Sequence, residues 1–255
     1  MTTINILLLT ATITPKAGVP NLKRVDPKTR LQDYEKTLAF YLSILPQCFD
    51  WIVFAENSNS DISSLKKIAS QHSMADKIEF VVFDGLDYPP RYDRAYGEFK
   101  LLDYAMQHSK IINQTQERVV VWKITGRYAI RNICDIVYSQ PQKFDIYCNF
   151  RNFPKHWVDT FLLAWTPDAY QACLKGTYEK LKLNIPGVPE KAAGEELLRS
   201  WLDQQINRIN VVKRFKVTPL VEGIRGADNQ GYSTDNFWKF QVRQALNAVL
   251  PWLWL

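Results

Sequence analysis

The run Val119-Val120-Val121-Trp122-Lys123-Ile124, followed at once by Thr125-Gly126-Arg127-Tyr128, constrains the fold most. Its first six residues are short, β-branched and aromatic, the pattern of a buried strand. The strand then empties into a turn that holds a cation. Three further runs look alike: Asn5–Thr10, Trp51–Ala55 and Ile78–Phe83. Helical spacing separates them. Leu31, Tyr34, Leu38, Tyr41, Leu42 and Leu45 recur three or four apart, and Pro46 is expected to end that helix. Asp61 is expected to cap a second helix to about His72, and a third is expected over Glu98–Lys110. Residues 84–97, rich in Tyr, Pro, Arg and Asp, read as a long loop. Four strands alternating with three helices predict a right-handed parallel βαβ arrangement, so the class is α/β.

The second half is less regular. Strands are expected at Phe144–Asn149 and Asp159–Trp165, with a third over Val211–Val221. Helices are expected from Pro167 to about Leu181, from Glu195 to about Ile209 and from Ser233 to Leu250, the last capped by Ser233 or Thr234. Residues 223–235 carry three glycines and read as a mobile loop. With no repeat and no hinge-like linker, the 255 residues are expected to form one domain of two halves, 1–135 and 136–255.

Composition limits the partners. The net charge of +6 suits a phosphate-bearing ligand, a polyanion or an anionic membrane surface. Cys48, Cys134, Cys148 and Cys173 lie far apart without a CxxC pair and are expected to be reduced thiols in a cytosolic protein. Residues 4–13 are apolar, but no positive segment precedes them, so they read as a strand and not a signal peptide. No run approaches transmembrane length. His72, His108 and His156 show no metal-ligand spacing, and there is no P-loop, GxGxxG or GxSxG.

What remains is a row of polar residues at strand ends. Thr10 and Thr12 end the first strand, Glu56 and Asn57 the second. Asp84, Arg91 and Arg94 follow the third, and Lys123 and Arg127 end the fourth. In open α/β sheets ligands bind outside the carboxyl ends of the strands. Hydroxyls, an acid and several cations along that edge suit a nucleoside diphosphate.

The order of elements, with Thr-Ala-Thr-Ile-x-Pro, Glu-Asn-Ser, Tyr-Gly-Glu-x-x-x-Leu-Asp-Tyr-Ala and Trp-Lys-Ile-Thr-Gly-Arg-Tyr, resembles bacterial GT-A-type glycosyltransferases. These build capsule, O-antigen or other surface polysaccharide from nucleotide sugars. The likeness is best over residues 4–135 and fades beyond about 165. It implies a GT-A-like three-layer αβα sandwich with a mostly parallel, Rossmann-like N-terminal half and a mixed C-terminal half. It also implies a nucleotide-sugar donor and a glycan or lipid-linked glycan acceptor, handled in the cytoplasm or at the inner face of the membrane.

One departure from the family pattern matters. Many members carry Asp-x-Asp after the fourth strand to hold a divalent metal; here the position reads Thr125-Gly126-Arg127. Transfer without a metal is therefore expected, with Lys123, Arg127 and Arg225 on the leaving diphosphate. Mg²⁺ or Mn²⁺ held by Asp145 or Asp159 stays an alternative. Inversion needs a general base. Glu195 and Glu196, at an acidic helix start like the one that often supplies it, and Asp159 are the candidates; acids in a first helical turn also simply favour the dipole. The loop Gly223–Gly231 resembles a lid. The C-terminal segment, with Trp238, Val242, Val249, Trp252 and Trp254 beside Lys239 and Arg243, would dock on an anionic membrane or pack on the core. A non-catalytic nucleotide- or nucleic-acid-binding protein is the competing reading. Scattered cations and the lack of an RRM, KH or helix-turn-helix signature count against nucleic acid.

Overall fold

The computed structural model describes residues 3–114, 117–153, 155–189, 192–232 and 237–249. In chain order, the first half comprises β1 (Thr3–Ala11), α1 (Pro27–Cys48), β2 (Trp51–Glu56), α2 (Ser63–Ser70), β3 (Ile78–Val82), α3 (Asp93–His108), α4 (Lys110–Gln114) and β4 (Arg118–Thr125). The second half comprises β5 (Ala129–Ile130), α5 (Ile133–Tyr138), β6 (Ile146–Tyr147), β7 (Phe150–Arg151), β8 (Trp157–Val158), β9 (Leu162–Trp165), α6 (Pro167–Ala169), α7 (Gly194–Gln205), β10 (Val211–Val212), β11 (Val221–Glu222) and α8 (Phe237–Val249).

Among the described residues, the main sheet runs β10-β6-β9-β4-β1-β2-β3. The first four strands are mutually parallel; β9 is antiparallel to β4 and to β6. The chain winds outward from β1 to β3, and α3 then returns it to the other side of β1. The strand order therefore reverses between β1 and β4, which opens a crevice at their carboxyl ends.

Period-two alternation sorts the side chains. Leu7 and Leu9, Ile52 and Phe54, and Val120, Trp122 and Ile124 face α1, α2 and α5. Ile6 and Leu8, Val53 and Ala55, and Val119 and Val121 face α3 and α7. Two cores thus sandwich one sheet, giving the expected mixed α/β class with a mostly parallel first half. Trp122, Trp165 and Tyr34 are at most 1% exposed, each such burial stabilising by roughly 1.5–3 kcal/mol.

Several local expectations need correction. Pro46 does not end α1, which continues to Cys48. A proline in the last turn costs little ladder, and Leu45 and Cys48 extend the buried face. The third helix begins at Asp93, so Arg94, Tyr96 and Gly97 are helical and not loop. The second ends at Ser70, short of His72, and Asp61 takes the Ser63 amide at 2.9 Å from just before it. The stretch after Pro167 is a short α-turn, a π-turn over Tyr170–Leu174 and a 3₁₀ turn over Thr177–Leu181. Asp103 on α3 holds the Tyr170 hydroxyl and the Gly176 amide, and Gly176 adopts φ +73°, which breaks a regular helix there. Residues 211–221 split into two short strands in different sheets. The strands expected over 144–149 and from Asp159 shorten to β6 and β9. The helix starting at Glu195 begins one residue earlier and stops at Gln205. Caps Ser233 and Thr234 and the tail from 250 lie outside the described residues.

Cys48 and Cys134 are not separate thiols. They form a disulfide across 86 residues, with Cα atoms 5.3 Å apart, because α5 packs on the end of α1. Cys148 and Cys173 are buried thiols, and burial raises the pKa of each, that of Cys173 to about 11. No described helix is long and apolar enough to cross a membrane.

The turn after β4 has little room. The Gly126 amide donates to the Thr10 carbonyl at 2.8 Å, and a Cβ there would lie 2.8 Å from that oxygen and 3.3 Å from the Tyr34 ring. Gly126→Ala is expected to cost about 1–3 kcal/mol, the usual cost of overpacking, read as a lower denaturant midpoint at unchanged m-value.

Candidate active site

A cavity of about 750 Å³ opens at the reversal point between β1 and β4. Of the residues expected to form a site, Thr10, Thr12, Arg94, Arg127, Arg225, Asp159 and Glu195 line it; Glu56, Asn57, Lys123 and Glu196 do not.

Register explains the floor. Thr10 pairs with Thr125 and Leu8 with Lys123, so Thr10, Thr125 and Lys123 all point to the α3 face. Glu98, in the second turn of α3, meets them there. Its Oε1 lies 2.6 Å from the Lys123 ammonium and accepts from the hydroxyls of Thr10 at 2.9 Å and Thr125 at 3.0 Å. Lys123 also donates to the Thr160 carbonyl and is fully buried. Its charge is spent inside the protein, so the expectation that it faces a diphosphate fails on geometry. Burial pushes the Glu98 carboxyl up, but Lys123 and the two hydroxyls outweigh it and hold the group below the usual range.

Glu56 and Asn57 are scaffolding too. The Glu56 carboxylate accepts from the amides of Ile13 and Ser58 at 3.0 Å and of Ser60 at 3.2 Å, stitching the loops after β1 and β2 together. Asn57 accepts from the Thr12 hydroxyl at 2.6 Å.

The cationic wall lies on the α1 side. Arg127, 8% exposed, donates to the Ile224 carbonyl at 2.8 Å, while its Nε has no partner among the described residues. Arg30 is equally buried and donates only to neutral oxygens: the carbonyls of Thr12 and Arg24 and the Tyr34 hydroxyl. Burial lowers the Arg30 pKa and Arg127 lowers it further, yet a guanidinium stays charged. The carboxylate acting on both, Asp33, is committed to Arg24 at 2.7 Å. Among the described residues, two neighbouring buried cations therefore lack a carboxylate partner of their own, a costly arrangement unless an anion is supplied. Arg225 pairs with Asp228 at 2.7 Å and leaves Nε unsatisfied. Its loop is tied down by the Gly226 carbonyl, which takes the Lys23 and Arg24 amides.

The opposite wall is acidic. Successive helical residues point about 100° apart, so α7 splits its two glutamates. Glu196 turns back to accept the Ala193 amide at 2.9 Å and pairs with Lys155 at 2.8 Å. Glu195 faces the cavity, and among the described residues no other side chain bonds or ion-pairs with it. Burial raises its pKa, with Glu98 and Asp93 adding to the rise and Arg94 opposing it. Close helix packing sets this position, since a Cβ on Gly194 would lie 2.2 Å from that of Ala95 on α3. Asp159 is clamped through Oδ2 by Arg151 at 2.8 Å and Asn149 at 2.8 Å. Asp93 adopts φ +70°, ψ −178°, a region used almost only by glycine, at the cavity rim.

Sequence reasoning missed Arg30, Tyr34 and the role of Glu98. Arg30 reads as one more cation of an amphipathic helix, and only the tertiary fold puts it beside Arg127. Glu98 was legible: alternation places Lys123 inside the sheet, where it must find an acid.

No family model matches the chain, and no curated protein does. Among solved structures, it is similar to a nucleotide-diphospho-sugar transferase from Desulfovibrio desulfuricans G20 at 14% identity, over 82% of this chain and 78% of that one, with a TM-score of 0.44. It is also similar to the galactosyltransferase LgtC with donor and acceptor sugar analogs, at 7% identity over 82% and 73%, TM-score 0.47. The inositol-1-phosphate CTP transferase from T. maritima aligns at 10% identity over 94% and 96%, TM-score 0.44. Likeness at this level carries no weight for activity.

The floor makes its own test. Glu98→Gln strands a buried ammonium and is expected to cost about 3–5 kcal/mol, as is Lys123→Met, while the double variant regains most of the loss. Because the Glu98 pKa is depressed, the pair's contribution is present above the unfolded value of 4.5 and fades as pH falls through the lower folded value. The double variant loses that acid limb in pH-dependent denaturant unfolding.

Proposed function

We propose that this chain is a glycosyltransferase that moves a sugar from a nucleoside-diphosphate sugar to a hydroxyl of a glycan or glycolipid. One observation carries the reading. The cavity at the sheet's reversal point sets two buried guanidinium groups, Arg30 and Arg127, across from a glutamate with a raised pKa; among the described residues the guanidinium groups have no carboxylate partner and the glutamate no side-chain one. A diphosphate supplies the missing negative charge, and its charge grows as it leaves, when Arg30, Arg127 and Arg225 stabilise it most.

Glu195 takes the proton of the acceptor hydroxyl while that oxygen attacks the anomeric carbon. The bond from that carbon to the phosphate oxygen breaks, its electron pair stays on the diphosphate, and the centre inverts. A raised carboxyl is a stronger base toward a hydroxyl than an ordinary one. Asp159, with Oδ2 occupied by Arg151 and Asn149, is the second candidate base. Glu196 is excluded from that role in this reading, because Lys155 and the Ala193 amide use both its oxygens.

A divalent ion does not fit where the family pattern has Asp-x-Asp. Hard cations take oxygen ligands, whereas here Thr125 donates its hydroxyl to Glu98 and Arg127 is itself a cation. The proposal therefore gives the leaving group's charge to arginine. It also includes a lipid-linked acceptor for surface polysaccharide at the inner face of the membrane, approached through α8. Trp238, Val242 and Val249 of that helix are 63, 49 and 72% exposed. Full chain pelleting with anionic liposomes, and a chain ending at Asp235 staying in solution, is the expected result for this part.

Arg127→Ala is expected to weaken binding of the free nucleoside diphosphate about 10- to 100-fold, as for a hydrogen bond to a charged group. Glu195→Gln is expected to lower kcat about 10²- to 10⁴-fold with donor affinity kept. In the wild type kcat/KM falls on the acid side through a pKa above the usual glutamate range, because the base must be ionised; near-normal rates in Glu195→Gln would remove it. Transfer persists in excess EDTA; complete loss, restored by Mn²⁺, refutes the arginine-only account.

A further inference from the structure

The cavity is polarised across the sheet edge. Arg30 and Arg127, which have no carboxylate partner among the described residues, stand on the α1 side, while Glu98 and Glu195 stand on the α3–α7 side. Glu98 spends one oxygen, Oε1, on Lys123, Thr10 and Thr125, and none of these bonds uses Oε2. Lys123 lies beneath the floor, fully buried, and offers nothing to a ligand. Glu195 adds a second carboxylate without a side-chain partner among the described residues. The guanidinium on this side, Arg94, contacts Asp93 through Nε alone at 3.3 Å and also acts on Glu195. A ligand atom above Glu98 therefore meets carboxylate oxygens, which only accept hydrogen bonds.

Resting on the donor reading above, we infer that the transferred group is an uncharged or amino sugar, and that Glu98 and Glu195 exclude uronic and other acidic sugars. With the diphosphate on Arg30 and Arg127, the sugar extends toward α3 and α7. Its hydroxyls or amine donate to Glu98 Oε2. A sugar carboxylate has no proton to donate; Lys123 already balances the charge of Glu98, so the repulsion that works as a filter comes chiefly from Glu195. Glu98 suits the task because Lys123 and the two threonines keep it ionised. The lever is specificity: arginine sets the affinity for the nucleotide, and the carboxylates sort what it carries.

The experiment uses the full chain and calorimetric titration. Free UDP, GDP and dTDP first identify the nucleotide that binds. A matched pair on that nucleotide follows, such as UDP-glucose against UDP-glucuronate or GDP-mannose against GDP-mannuronate. The expected result is that the acidic member binds at least about tenfold more weakly, the scale of one charged contact. Glu195→Gln, and separately Glu98→Gln with Lys123→Met, each narrow that ratio. Equal affinity for both members overturns the inference and leaves the donor reading standing, as does a ratio unchanged in both variants. If neither a free nucleoside diphosphate nor any nucleotide sugar binds, the donor reading fails and takes this one with it.

Discussion

The contact between Glu98 and Lys123 organises this protein. It joins α3 to the middle strand pair of the sheet, under the carboxyl ends of β1 and β4. Such a pair is weak evidence for stability, since desolvation offsets most of the attraction. Its value is positional. Three donors converge on one carboxylate oxygen, which fixes Thr10, Thr125 and the second turn of α3 relative to one another. The cavity has those residues as its floor.

Around that floor, like residues are divided between scaffold and cavity wall. Glu195 and Glu196 are neighbours, yet one faces the cavity and the other holds the helix start and Lys155. Asp33 serves Arg24, which leaves Arg30 and Arg127 without an acid among the described residues. The loop at Glu56 is stitched by amides, whereas the wall of Arg30 and Arg127 carries cations without an acid among the described residues. A glycosyl donor has the matching polarity, an anionic diphosphate joined to a hydroxyl-rich ring.

Close approach is the second constraint. Gly126 lets the turn after β4 touch the Thr10 carbonyl and the Tyr34 ring, and Gly194 lets α7 meet Ala95. Side chains at these points would push apart the walls that carry Arg127 and Glu195. The strained backbone of Asp93 sits at the same rim. Sterically tight backbone is thus concentrated where the walls must converge.

The sequence by itself determined the sheet and the edge where its polar strand ends gather. Runs such as Val119–Ile124 bury on both faces in any compact fold, and their alternation with helical periods left few topologies open. The strand-end residues Thr10, Thr12 and Arg127 followed, because strand ends are countable along the chain. Tertiary structure alone decided which polar groups stay available. Lys123 looked like a ligand-facing cation until Glu98, 25 positions earlier in the chain, was seen to neutralise it. Nothing in the sequence marks Arg30, which only the packing of α1 sets beside Arg127. Cys48 and Cys134 looked unrelated until α5 closed on α1. The physical reason is the same in each case. Periodicity fixes the face a residue occupies, but partners are chosen by elements that meet only when the layers close.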